Sequence, residues 1–220
     1  MKKFKAMLFD MDGVLVDSEP VHFAGRHATL ARYGIKTTDE ELANYTGILS
    51  EEFLTSISKK RGVDIPIAEA CKFIDIDFKN ILDSYDLKPI DGIPELLQAL
   101  QSKNIPTAIA SSSSPELIET FVTRLDIKKY FKSFVSGRQV EKSKPAPDIY
   151  IAAAKAVGAL PTDCVVLEDS HSGIVAGHAA HCYCIGFRSP HSGNQDLTLA
   201  NEIVHSIRDI NLDLFDSDIA

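Results

Sequence analysis

The chain has 220 residues, 45% of them apolar and 25% charged, with a formal net charge of −8. Those values suit one large domain, or a core with a smaller companion, and supply enough apolar surface for a core without external staples. They exclude a general nucleic-acid partner, whose backbone demands clustered Lys and Arg, and no apolar run approaches the roughly 20 residues of a membrane span.

At the N-terminus, Lys2, Lys3 and Lys5 precede an apolar stretch that breaks at Asp10. That stretch is too short for a secretory signal, so a cytoplasmic protein without membrane attachment is expected. Residues 4–9 read as a short buried strand ending at Asp10-Met11-Asp12-Gly13, because Asp and Gly disfavour strand interiors and favour turns. A helix is predicted from Glu19-Pro20 to about Tyr33, stopped by Gly34. Thr37-Thr38-Asp39-Glu40 then has the T-x-x-E spacing of a capping box. Phe53, Ile57, Phe73, Ile74, Phe78, Ile81 and Leu82 recur at helical intervals, so residues 18–87 read as a small helical bundle.

After Pro89 the pattern changes. Gly92-Ile93-Pro94-Glu95 starts a helix carrying Leu96, Leu97 and Leu100. Residues 106–110 form a β-rich run that ends in Ser111 to Ser114, and Ser114-Pro115-Glu116 starts a helix with Leu117, Phe121 and Leu125 on one face. Phe134 and Val135 suggest a short strand, and residues 147–158 repeat the proline-in, glycine-out signature of a helix. Cys164 to Leu167 is another buried strand, ending in Glu168-Asp169-Ser170, and Tyr183 to Ile185 another. Cys182 and Cys184 face one side of an alternating strand and read as small core residues; with Cys71 and Cys164 they fit a reducing compartment. Apolar strands alternating with helices imply an α/β fold, a doubly wound Rossmann-like parallel sheet covered on both faces. Residues 1–17 and 88–220 would form that core, with residues 18–87 as a helical insertion.

Polar residues collect where the strands end, the edge at which open α/β sheets bind ligands. Asp10 and Asp12 follow the first strand; such a D-x-D is often a solvated turn, and two close carboxylates need a cation or a shared proton. Glu168 and Asp169 add hard oxygen donors suited to Mg²⁺, although Asp169 or Ser170 would also cap the next helix. Lys144, braced by Pro145 and Pro147, would offset anionic charge at that edge. Ser111 can donate to a phosphate oxygen, and since Ser114 makes the better helix cap, Ser111, Ser112 and Ser113 stay available. In so acidic a chain, a phosphate site must gather its positive charge locally, from a metal and a few cations.

Taken together and in order, Asp10-Met11-Asp12-Gly13-Val14, Ala110-Ser111-Ser112-Ser113, Ser143-Lys144-Pro145-Ala146-Pro147-Asp148 and Leu167-Glu168-Asp169-Ser170 resemble the four motifs of the haloacid dehalogenase superfamily. Asp17-Ser18-Glu19-Pro20 and Ser111-Ser112-Ser113-Ser114-Pro115 further resemble its β-phosphoglucomutase-like branch, which includes sugar-phosphate phosphatases. The resemblance implies that residues 18–87 form an α-helical cap. It implies Asp10 as the nucleophile that forms an aspartyl-phosphate and Asp12 as general acid and base. It further implies Mg²⁺ on the Asp10 carboxylate, the Asp12 carbonyl and the Asp169 carboxylate, with Glu168 in or near that shell. Ser111, Ser112, Ser113 and Lys144 would hold phosphate and substrate. Gly47, in the loop Thr46-Gly47-Ile48-Leu49-Ser50, and His22 would add contacts from the cap.

The chain departs from the mutase where Ser50 replaces an arginine, and where Ser114 and Pro115 replace a lysine and an asparagine. A mutase must grip two phosphates, so the expectation is a Mg²⁺-dependent phosphatase of a small phosphorylated metabolite, a sugar or sugar alcohol phosphate, acting as a monomer. The alternative is a β-phosphoglucomutase-type phosphomutase. A dehalogenase would lack Asp12 and the metal motif, and a phosphorylation receiver would lack the helical insertion. His181 stands where a left-handed glycine is common and reads as structural.

Overall fold

Strand β1 (Ala6–Phe9) is buried at all four positions, which explains why its sequence is continuously apolar rather than alternating. The computed structural model describes residues 3–45, 48, 50–189 and 193–215, and the chain divides into two compact units, Met1–Asp17 with Leu87–Ala220, and Ser18–Asp86.

After β1 the chain enters the second unit, built from helices α1 (Glu19–Ala31), α2 (Asp39–Ala43), α3 (Ser50–Arg61) and α4 (Ile67–Ser84). Leu30, Leu42, Phe53, Leu54, Ile57 and Ile74 form its core. Asp77 is buried there and is neutralised by Arg32 at 2.5 Å, with Thr29 Oγ1 donating to its other oxygen at 2.8 Å. Helix α1 ends two residues before the expected Tyr33, and Gly34 takes a left-handed φ of 72°. The cap of α2 also corrects the sequence reading. Thr38, not Thr37, accepts from the N–H of Glu41, because the helix starts at Asp39; the Thr37 hydroxyl bonds His27 Nδ1 at 2.8 Å instead.

The chain then returns to the first unit through α5 (Ile93–Ser102), β2 (Thr107–Ser111), α6 (Pro115–Arg124), β3 (Ser133–Ser136), α7 (Asp148–Val157), β4 (Cys164–Glu168), α8 (His171–Ala179), β5 (Tyr183–Phe187) and β6 (Glu202–Val204). The described strands form one six-stranded sheet in the order β3-β2-β1-β4-β5-β6, with every pair parallel. The fold class is therefore a Rossmann-like α/β core. Phe9 registers with Ile109 on one side and Leu167 on the other, so Asp10, Ser111 and Glu168 come to the same sheet edge. The strand order runs outward in both directions from β1, which places the topological switch point there.

Ala6, Leu8, Ala108, Val166 and Cys184 pack against Ile149, Tyr150, Ala153 and Ile174 of α7 and α8 in the main core. Cys182 lies in the turn before β5 rather than in the strand, and is buried in the same core. All four cysteines are free, and burial pushes the Cys164 and Cys184 thiols up to about 12, as expected of inert core residues. His181 adopts a φ of 62° in that turn. Among the described residues, no helix is long and apolar enough to cross a membrane.

Candidate active site

Two features fix the first acidic segment. Asp10 directly follows β1 and donates its N–H to the Leu167 carbonyl at 3.0 Å, tying it to the neighbouring strand. Gly13 turns the chain with a φ of 78°, and a Cβ there would collide with the Asp169 carboxylate. Only glycine lets that loop and the end of β4 come so close.

Lys144 reaches this edge from the loop before α7, with a side chain only 4% exposed. Its ammonium meets Asp10 Oδ1 at 2.5 Å, Glu168 Oε1 at 2.7 Å and the carbonyl of Ala110 at 2.9 Å. A protonated lysine has three donors, and all three are engaged. The Lys144–Pro145 peptide is cis.

Glu168 is fully buried and takes five hydrogen bonds. Oε1 accepts from Lys144 and from the Tyr150 hydroxyl at 2.8 Å. Oε2 accepts from the N–H groups of Asp169 and Ser170, at 3.0 and 3.1 Å, and from Ser170 Oγ at 2.9 Å. Ser170 simultaneously caps α8 by accepting from Gly173 N–H at 3.0 Å, so of the two caps the sequence allowed, Ser170 is the one formed. A Cβ at Gly173 would collide with the Glu168 carboxylate, so this glycine lets the helix start against it.

Asp10, Glu168 and Asp169 each present an oxygen within 4.8 Å of the others. Lys144 is shared between Asp10 and Glu168. Burial first, then the charges of Glu168 and Asp12, push the Asp10 carboxyl up to about 8 against the pull of Lys144. For Lys144, burial alone would lower the ammonium, but Asp10 and Glu168 outweigh it and hold it above its ordinary range. Burial would likewise raise Glu168, yet the Lys144 charge and the hydrogen bonds from Lys144, Ser170 and Tyr150 hold it below the usual carboxylate range. The pair is therefore ionised on both sides, and the unbalanced proton affinity falls on Asp10.

The serine run divides its work. Ser111 is buried at the end of β2, and its Oγ accepts from Ser113 N–H at 3.0 Å. Ser112 is exposed. Ser113 Oγ donates to Asp12 Oδ2 at 3.1 Å, and its carbonyl accepts from Ser136 Oγ at 2.6 Å. Ser114 caps α6, accepting from Leu117 N–H at 3.3 Å.

Thus Asp10, Asp12, Ser111, Ser113, Lys144, Glu168 and Asp169 all belong to one sheet edge. His22 belongs to the helical unit, where its ring stacks on Phe78 at 4.4 Å. Gly47 lies outside the described residues. Sequence reasoning missed Tyr150, Ser136 and Gly173. Tyr150 fits its helix's apolar stripe, and nothing in that pattern marks its hydroxyl. Gly173 could have been found, since a glycine in the first turn of a capped helix lowers helix propensity without need.

Residues 7–187 match the family model described as haloacid dehalogenase-like hydrolase. A phosphorylated carbohydrates phosphatase of Thermotoga maritima is 32% identical over 176 residues, covering 80% of this chain and 81% of that protein. A β-phosphoglucomutase of Bacillus subtilis is 31% identical over 220 residues, covering 96% and 93%. Among solved structures, a putative β-phosphoglucomutase from Thermotoga maritima superposes with a TM-score of 0.75 at 30% identity, over 93% of this chain and 94% of that one. The chain belongs to the haloacid dehalogenase-like hydrolase family, in the branch that holds sugar-phosphate phosphatases and β-phosphoglucomutase.

Proposed function

We propose that this protein is a Mg²⁺-dependent phosphatase that hydrolyses a small phosphorylated carbohydrate through an aspartyl-phosphate on Asp10. The observation that carries the reading is the buried trio of Asp10, Glu168 and Asp169, with Lys144 paired to both Asp10 and Glu168. Its oxygen donors fit a hard divalent cation, and the raised proton affinity of Asp10 marks a site short of positive charge.

The Asp10 and Asp169 carboxylates and the Asp12 main-chain carbonyl would hold the metal. Glu168 supports the site from behind, since five donors already fill its roughly four lone-pair positions. Bound Mg²⁺ supplies neutralisation of the phosphoryl oxygens. Asp10 attacks phosphorus as the bond to the leaving oxygen breaks, and Asp12 delivers its proton to that oxygen. Asp12 then takes a proton from water, whose oxygen displaces Asp10 and releases inorganic phosphate. Such acid–base help contributes typically about 10²–10⁴ in rate. Lys144 holds the Asp10 carboxylate in place, and the Ser111 hydroxyl retains its own hydrogen for a phosphoryl oxygen. The four free cysteines agree with a reducing compartment, the cytoplasm.

Phosphomutase activity is the second reading, favoured by the 31% identity to a β-phosphoglucomutase over nearly the whole chain. Against it, the Ser114 hydroxyl is used as a helix cap and Pro115 has no side-chain donor, so this loop offers neither of the groups a mutase uses for a second phosphate.

The test is release of inorganic phosphate from hexose, pentose, polyol and glycolate phosphates, with Mg²⁺ or with EDTA, beside the Asp10→Asn variant. Metal-dependent release that vanishes in the variant is expected. Release that persists in Asp10→Asn overturns the nucleophile. Isomerisation of a hexose phosphate in place of release moves the protein to the mutase reading.

A further inference from the structure

The geometry points to Ser113 as a positioning residue for Asp12 rather than a phosphate-binding serine, an inference that rests on the phosphatase reading above. A hydroxyl carries one hydrogen, and that of Ser113 is directed at Asp12 Oδ2, 3.1 Å away. Only its lone pairs remain, and a phosphate dianion needs donors, not acceptors.

The rest of Ser113 is built as a support. Its N–H donates to Ser111 Oγ at 3.0 Å, and its carbonyl accepts from Ser136 Oγ at 2.6 Å. Ser136 is itself 1% exposed, at the end of β3, where it accepts from Arg138 N–H and donates its own N–H to the Gln139 side chain. Every polar group of Ser113 is thus tied to a strand end or to Asp12. Register explains the reach: β1, β2 and β3 are adjacent and parallel, with Ser111 opposite Ser136. The support runs laterally across the sheet edge, Ser136 to Ser113 to Asp12, linking the ends of three adjacent strands. It fixes one oxygen of the carboxylate and so sets the orientation in which the acid meets the leaving oxygen and, later, water. A general acid displaced by about 1 Å can cost on the order of 10² in rate.

The experiment compares Ser113→Ala and Ser113→Thr with the wild type on a hexose phosphate that the enzyme hydrolyses and on p-nitrophenyl phosphate. For Ser113→Ala, kcat/KM on the hexose phosphate should fall about tenfold to a hundredfold. On p-nitrophenyl phosphate, whose leaving group needs little protonation, it should fall less than about threefold. Inhibition by inorganic phosphate should be unchanged, Ser113→Thr should recover most of the loss, and Ser113→Ala should add nothing in an Asp12→Ala background. Equal losses on both substrates, or weaker phosphate inhibition with kcat preserved, would return Ser113 to phosphate binding and overturn the inference. So would a Ser113→Ala variant with wild-type rates. If the wild type itself releases no phosphate in an Asp10-dependent manner, the phosphatase reading is what fails.

Discussion

Replacing Tyr150 by Phe tests the buried polar cluster with the least disturbance to packing. The ring is fully buried in the main core, so phenylalanine fills the same space and leaves no apolar cavity. It also keeps the ring about which the Lys144 ammonium sits, at 5.2 Å. What disappears is one 2.8 Å hydrogen bond to an ionised, inaccessible carboxylate. A hydrogen bond to a charged group contributes about 1.5–3 kcal/mol, and here no water can replace the lost donor. At roughly 2–4 °C per kcal/mol for a chain of this size, the melting temperature should fall by roughly 3–12 °C. Differential scanning calorimetry on the metal-free protein would read it. In a Glu168→Gln background the same substitution should cost only about 0.5–1.5 kcal/mol, because the acceptor is then neutral. A Tyr150→Phe variant melting within about one degree of wild type, or equal losses in both backgrounds, would refute the claim that Tyr150 stabilises a charged Glu168.

Gly173→Ala should destabilise, although Ala normally stabilises a helix over Gly by roughly 0.5–1 kcal/mol. The new Cβ must displace the Glu168 carboxylate and break its pairing with Lys144, a loss of about 3–5 kcal/mol for a buried pair; urea denaturation would measure it, and a neutral or stabilised variant would show that α8 does not start against Glu168. The pH dependence follows from Asp10, whose carboxyl rises from 3.8 to about 8 on folding. A raised folded value means that this group's contribution to stability is fully present below about 4 and is lost as pH climbs through 8. Metal must displace that proton, so the rise in melting temperature produced by Mg²⁺ should grow with pH across this window and level off above it. Thermal melts with Mg²⁺ and with EDTA would check this, and a metal effect that shrank as pH rose would contradict it.

The sheet was legible because its strands are apolar runs punctuated by Asp, Ser and Glu, and those punctuation marks are the site. Strand β6 was not, since Glu202-Ile203-Val204 is three residues long and is defined by its register with β5 rather than by any pattern of its own. The same division runs through the site. Residue types and order pointed to Asp10, Lys144 and Glu168, but how many donors converge on each is a property of the folded edge. Lys144 read as a phosphate-binding cation; the structure has all three of its hydrogens engaged with protein oxygens. Glu168 read as a possible ligand; five donors occupy it.

These two saturations bear on one another. A chain of net charge −8 must attract a phosphate dianion to an edge that already holds Asp10, Glu168 and Asp169. Lys144 is matched by Glu168, which it meets at 2.7 Å in full burial, and that pair contributes no net charge. Asp10 shares that ammonium, and its high proton affinity shows that one cation between two buried carboxylates does not fully offset them. Under the phosphatase reading proposed above, the Lys144–Glu168 pair is scaffolding that aims Asp10, and a divalent cation would supply the charge that admits substrate.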